Sequence, residues 1–257
     1  MTKKMVTIGV LALQGAFIEH INHLQKAAKS AKSGSLVAGV QIKAVQVRTV
    51  EQLKSVDALI LPGGESTSIS LIAERTGLLV PLQEFVRIKR KPVWGTCAGL
   101  ILLSDQASKA TKGGQKLVGG LHVRCQRNHF GRQTESFSCD LALPFIDPND
   151  PDDRFSAMFI RAPIIDRLLD SDTTDNFEAL SLSDENVVYA PKLEADSDDR
   201  TLVEVICRLP KTLGSEADDI VAVRQGQIFG TSFHPELTSD VRLHLWWMEE
   251  CVLPYLE

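Results

Sequence analysis

Cysteine is scarce in this chain and follows no pairing pattern: Cys97, Cys125, Cys139, Cys207 and Cys251 are the only five among 257 residues. They are odd in number, far apart and without a CxxC pair. That excludes a disulfide framework and a cysteine-based zinc site, and it indicates free thiols in a reducing compartment. An excess of basic charge is also missing. Lys and Arg total 28 against 33 Asp and Glu, for a net charge of −5, so the electrostatic footprint of a nucleic-acid binder is absent. No apolar run approaches the roughly 20 residues that span a bilayer. Met1 to Met5 leads straight into a strand pattern with no cleavage region of a secretion signal, and a cytoplasmic location is expected. There is no internal repeat and no low-complexity tract. His20, His23, His122, His129 and His244 show no metal-ligand spacing; His20 and His23 read as surface or packing residues of a first helix. The acidic loop from Phe145 to Asp153 lacks the central Gly and terminal Glu of a calcium loop. No metal is expected.

What is present is the alternation of an α/β protein. Val6 to Leu13 is a nearly continuous apolar run, the pattern of a strand buried on both faces. Phe17, Ile21, Leu24 and Ala28 then recur at helical spacing. Residues 29–39 read as a loop or frayed helix end. Val40 to Val47 and Val56 to Leu61 are further strands. Glu65 to Ser68 opens a helix running to about Arg75. Pro81 to Arg90 is another helix, Pro92 to Trp94 a strand, and Leu100 to about Ser108 a helix. Strand and helix in turn predict a mostly parallel sheet covered on both faces, a three-layer sandwich. The centre changes character: Leu117 to Cys125, Glu135 to Leu143 and Ala157 to Arg161 look like strands of a mixed or antiparallel section. Thr201 to Arg208 is a further strand between acidic, solvated flanks. Ile220 to Gly230 is strand, turn, strand. Val241, Leu245, Met248 and Val252 fall on one face of a closing helix, with Trp246 and Trp247 beside it.

Two stretches carry chemistry. Gly95-x-Cys97-x-Gly99 lies between a short apolar strand and a helix, the cysteine version of a nucleophile elbow. Small residues on both sides allow a sharp turn that pushes one side chain outward, and a helix N-terminus favours the thiolate that attacks carbonyl carbon. Taken alone, the elbow reads equally as a buried cysteine in a Gly-rich turn. The second stretch, His234-Pro235-Glu236, supplies a base and an orienter. Pro235 biases His234 towards extended backbone, where residues i and i+2 project to one side. The Pro62-Gly63-Gly64 turn after a strand brings backbone N–H groups within reach of a ligand. Arg127 and Arg161, near strand ends, could bind a carboxylate, though from sequence alone each reads more readily as a surface or structural arginine.

These three motifs together resemble the triad-type (class I) glutamine amidotransferases. Gly9 to Gly15, Leu61 to Thr67, Arg127 to Gln133, Phe159 to Pro163 and Ser232 to Thr238 are similar to the glutaminase subunit of pyridoxal 5′-phosphate synthase, from about Met5 to Tyr255. The resemblance implies a flavodoxin-like fold in a single domain over 1–257, with insertions near 29–39, 108–116, 147–153 and 193–218 that suggest a eukaryotic or fungal member. It implies Cys97 as nucleophile, His234 as base and Glu236 as orienter. Backbone N–H groups of Gly64 and Ala98 would form the oxyanion hole. Gly64, Glu65, Ser66, Arg127, Ile160 and Arg161 would contact L-glutamine, and Gln14 and Gly15 would sense the partner. That partner is a (β/α)8-barrel synthase subunit, in an assembly of twelve of each. No cofactor is expected on this subunit. The rival readings are the glutaminase of another synthase, such as the one making imidazole glycerol phosphate, an assembly protein without activity, and a cysteine peptidase or general hydrolase.

Overall fold

A computed structural model describes residues 4–109, 115–127, 129, 136–146, 150, 153–169, 186–193, 201–210 and 218–256. The chain begins with strand β1 (Met5–Leu11) and helix α1 (Phe17–Ser30), followed by β2 (Gln41–Val47), α2 (Val50–Lys54) and β3 (Ala58–Leu61). Next come α3 (Ser66–Arg75), α4 (Leu79–Gln83), β4 (Val93–Thr96) and α5 (Ala98–Leu103). The central strands are β5 (Ser104–Ser108), β6 (Leu121–Gln126), β7 (Phe137–Ala142), β8 (Arg154–Phe159), β9 (Ile164–Leu168) and β10 (Val187–Tyr189). β11 (Glu204–Arg208), β12 (Ile220–Gln225), β13 (Ile228–Thr231) and α6 (Arg242–Trp247) complete it.

Eleven of these strands form one sheet in the order β10-β5-β6-β9-β12-β13-β4-β3-β1-β2, with β11 also on β12; β7 and β8 pair separately. The half from β2 to β13 is wholly parallel. Beyond β13 the pairing turns antiparallel except between β5 and β6. Alternation along the strands sorts the core to two faces. Val6, Ile8, Val10, Ile60 and Trp94 face α1 and α6, meeting Leu24, Leu243 and Trp247. Leu11, Leu59, Leu61 and Val93 face the other way, against Ile69, Leu82 and Leu100 of α3, α4 and α5. This is the expected three-layer sandwich with a mixed section.

Local chemistry sets the ends. Thr49 and Gln52 close a reciprocal capping box on α2. Glu65 caps α3, its carboxylate accepting from the N–H groups of Thr67 at 3.1 Å and Ser68 at 2.6 Å.

Several boundaries differ from the sequence reading. The elbow helix stops at Leu103, and Ser104 to Ser108 is a strand, not the helix continued to Ser108. The Ser104 hydroxyl donates to the Ile101 carbonyl at 2.7 Å while its backbone is extended, and Val118 N–H takes the Leu102 carbonyl at 2.8 Å. Those bonds satisfy helix-end carbonyls that another turn would have used. α4 starts two residues before Pro81, which suits a first turn, and continues as a π-turn over Glu84–Ile88. The closing helix likewise turns to π geometry over Met248–Val252. The first strand ends at Leu11, α1 runs to Ser30, and β9 and β10 had no sequence expectation. Parts of the segments near 108–116, 147–153 and 193–218, most of the Asn128 to Gln133 stretch and Glu135 lie outside the described residues.

Candidate active site

Parallel strands β3 and β4 end side by side, and each hands over to a helix at that end. β4 delivers Cys97, which has φ 48° and ψ −100° and precedes α5. This positive φ in a residue with a side chain marks stored backbone strain. It is held by the Cys97 N–H bond to the Thr231 carbonyl of β13 at 2.8 Å. The thiol is 6 % exposed and lies 3.9 Å from the Ile160 carbonyl. β13 runs on to Phe233 and His234. His234 N–H is tied to the Met158 carbonyl at 2.8 Å, and its Nδ1 lies 2.8 Å from Glu236 Oε1. The pair meets through a 3-10 turn over Pro235–Leu237 rather than through a continued extended chain. The Cys97 thiol lies close enough to the His234 ring to strengthen its hold on a proton.

Burial pushes the His234 imidazolium down, but the hydrogen bonds and charges of Cys97 and Glu236 outweigh it and raise the ring to about 10. Near neutral pH His234 therefore carries a proton on each nitrogen, one aimed at Glu236 and one available to sulfur. Burial also pushes the Glu236 carboxyl up, yet facing His20 and hydrogen-bonded His234 hold it below the usual range.

The Pro62-Gly63-Gly64 turn sits beside this pair. The Gly63 carbonyl accepts from Ala16 N–H at 3.0 Å. In a trans peptide the Gly64 N–H then points the opposite way. Gln14 Oε1 accepts from Glu65 N–H at 2.7 Å. Gly15, at φ 102°, is so close that a Cβ there would lie 1.9 Å from the Gly63 carbonyl oxygen. Gln14 and Gly15 are thus built against the turn expected to supply an oxyanion N–H. Ala98, first residue of α5, presents its N–H off the helix end.

A polar group lines the adjacent face. Arg127 bonds Gln115 Oε1 and, at 3.3 Å, Thr67 Oγ1, and lies 3.6 Å from Glu65. Burial pushes its guanidinium down, Glu65 counters this, and the nearby Arg161 charge adds to the lowering. Two cations converging this way suit an anionic ligand. Arg161 is exposed, with φ 47°. Ser66 is buried and donates to Gln115 Oε1 at 3.1 Å. The Glu65 carboxylate is occupied in capping α3, so its backbone rather than its acid group faces the Gln14 loop. The expected residues therefore gather from six parts of the chain, around residues 14–15, 64–66, 97–98, 127, 160–161 and 234–236.

Sequence reasoning missed three others. Gln115 is 2 % exposed and accepts from Ser66 and Arg127, although it fell in a stretch read as extra length. His20 and His244 are fully buried behind Glu236. His20 continues the stripe of Phe17, Leu24 and Ala27 at helical spacing, the one signal that could have placed it inside.

These histidines set an expected pH profile. Burial pushes His20 from 6.5 down to about 4, against the pull of Glu236, and drives His244 well below its ordinary value. Such depressed groups give stability that is present above 6.5 and lost as pH falls towards 4, on the order of 3 kcal/mol for His20 alone. His234 has the opposite sign: its contribution is full below 6.5 and lost as pH rises towards about 10. Urea unfolding across this range should give a stability maximum close to pH 6.5. A stability that stays level between neutral pH and pH 5 rules the account out.

Among the described residues no group of side chains could hold a metal ion, and no helix is long and apolar enough to cross a membrane.

Comparison with known proteins agrees with this geometry. The model of the SNO glutamine amidotransferase family matches residues 10–195 and 183–253. The chain is 42 % identical to pyridoxal 5′-phosphate synthase subunit SNO1 of Saccharomyces cerevisiae, covering 97 % of this chain and 95 % of that one. It is 39 % identical to probable pyridoxal 5′-phosphate synthase subunit PDX2 of Arabidopsis thaliana, over 95 % of this chain and 85 % of that one. A crystal structure described as a glutamine amidotransferase superposes with a TM-score of 0.66 at 34 % identity, covering 95 % and 98 % of the two chains.

Proposed function

The chain belongs to the SNO glutamine amidotransferase family, and we propose that it hydrolyses L-glutamine to L-glutamate and ammonia through a thioester on Cys97. The observation that carries this is Cys97 on strained backbone at a strand-to-helix elbow, beside a His234–Glu236 pair 2.8 Å apart. With the proton of the Cys97–His234 pair already held on His234, the Cys97 sulfur bonds to the side-chain amide carbon. The oxyanion takes the N–H groups of Gly64 and Ala98. His234 protonates the amide nitrogen as the C–N bond breaks, and ammonia leaves. Water, losing a proton to His234, attacks the thioester; glutamate departs and the Cys97–His234 pair returns to its starting state with the proton on His234. Glu236 keeps the imidazole oriented throughout. Arg127 and Arg161 hold the α-carboxylate, with Ser66, Ile160 and the backbone of Gly64 and Glu65 along the rest of the substrate.

The ammonia passes to a (β/α)8-barrel synthase subunit that builds pyridoxal 5′-phosphate, in a cytoplasmic assembly of twelve of each chain. Support for the partner comes from the relatives' names, which describe synthase subunits. The loop of Gln14 and Gly15 is the element through which that partner sets the Gly63-Gly64 peptide, because both residues already touch this turn. An oxyanion donor contributes roughly 3–4 kcal/mol, so a partner that aligns it should raise turnover about 100-fold. Glutamate release is measured with and without the synthase subunit. Equal rates in the two conditions sink the partner's role. No turnover in a verified complex sinks the reaction itself and leaves an assembly protein.

A further inference from the structure

The Glu236 carboxylate has a second oxygen that the triad does not use. Oε1 is paired with His234. Oε2 is buried, has no well-aligned hydrogen bond among the described residues, and faces His20 Nε2 at 3.3 Å. That nitrogen also lies 3.2 Å from the hydroxyl of Thr96, the residue before Cys97. The Thr96 hydroxyl meets the hydrogen-bond geometry of this nitrogen, and the charged oxygen, the stronger acceptor, lies just outside it. On the other side of the ring, His20 Nδ1 is 2.9 Å from His244 Nε2. Both His20 and Glu236 side chains have no solvent exposure.

The protons can be placed by elimination. A carboxylate only accepts, so the nitrogen facing it must donate. A neutral imidazole has one N–H, which leaves His20 Nδ1 as acceptor and His244 Nε2–H as its donor. His244 Nδ1 is then a bare acceptor, and that atom has no partner among the described residues. The reverse assignment would bury an unpaired N–H at His244 and turn a lone pair of His20 onto the carboxylate, the costlier arrangement. The chain of donors therefore runs in one direction, from His244 to His20 to Glu236, and meets His234 from behind.

We infer that His20 is a positioning residue of the glutaminase reaction, holding Glu236 through its Nε2–H while His244 selects the tautomer that can do so. It rests on the reading of Cys97, His234 and Glu236 given above. Because α1 carries His20 and its first turn adjoins Gly15, the same helix touches both the oxyanion turn and the back of the triad.

The test compares His20→Leu and His20→Gln in the full chain, with the wild type alongside and the synthase subunit present. Gln can place an N–H near the position of Nε2; Leu cannot. His20→Leu should lower kcat about 10- to 100-fold, the usual cost of losing a group that orients a working side chain, with KM within about twofold. His20→Gln should recover most of that loss. Independently of turnover, nitrogen NMR of ¹⁵N-histidine protein near neutral pH should show His20 as the Nε2–H tautomer. The low-field His234 Nδ1 proton should shift or broaden in the Leu variant and stay in place in the Gln variant. An Nδ1–H tautomer, equal kcat in all three proteins, or equal loss in Leu and Gln variants each overturns the inference. If His20→Leu does not fold, the Gln variant and the wild-type tautomer decide. If wild type does not hydrolyse glutamine, the glutaminase reading fails, and the NMR results still settle whether His20 holds Glu236.

Discussion

Replacing Cys97 with Ala is expected to remove glutamine hydrolysis altogether, a fall of about 10⁴-fold or more, as losing the nucleophile of a cooperative triad does. Glutamine binding should survive, since the proposed substrate contacts at Arg127, Arg161 and Ser66 are untouched. The more telling part concerns stability. Exchanging Gly for Ala usually stabilises a protein by about 0.4–1 kcal/mol. At this position the order should reverse, because φ 48° with ψ −100° suits Gly and strains any residue with a Cβ. Cys97→Gly should unfold at higher urea than Cys97→Ala by about 1–2 kcal/mol, though both are inactive. Residual turnover in the Ala variant would remove Cys97 from the chemistry. An Ala variant as stable as the Gly variant would show that the elbow carries no strain.

Gly99→Ala is the second large effect, and it acts on the fold. In an ordinary helix this change gains about 1 kcal/mol. Here a Cβ on Gly99 would lie 1.9 Å from the Leu61 carbonyl oxygen, with the Leu61 side chain also close. The atom in the way is backbone of β3, the fully buried strand next to β4, and cannot rotate aside. α5 would have to lift from the sheet, carrying Ala98 and the Cys97 turn with it. A loss of about 3–5 kcal/mol follows, at the upper end for a single substitution and a large fraction of a domain's total stability. Expression of soluble protein and the urea midpoint read this out. A folded Gly99→Ala with wild-type stability would mean that helix and strand are further apart than described.

The parallel half of the fold was legible because its signals are local. β1 and β3 are continuous or nearly continuous apolar runs, as a strand covered on both faces requires. The cluster of Cys97, His234 and Glu236 was legible for a related reason: the elbow is five residues long and His234 and Glu236 are two apart, so neither needs a distant partner to be noticed. What stayed hidden depends on distance along the chain. β5 reads Ser-Asp-Gln-Ala-Ser, polar enough to pass for a helix end or loop. It is buried because Asp105 accepts from Gly120 N–H at 2.8 Å and pairs with His122, partners no periodicity reveals. His20 becomes meaningful only beside Glu236, more than two hundred residues later, and Gln115 only beneath Arg127. Composition and spacing mark which residues are reactive; the tertiary fold decides which ones support them.

The place of β13 in the sheet governs when Cys97 meets His234. This strand, near the end of the chain, inserts between β12 and β4, and it both fixes Cys97 N–H and carries His234 into position. During synthesis the ribosome releases β1 to β4 and the elbow long before β13 exists. Until it arrives, β4 has an unpaired edge and the cysteine has neither its backbone restraint nor its imidazole. A chain that ends before β13 therefore lacks the Cys97–His234 pair, and on the proposed mechanism it releases no ammonia.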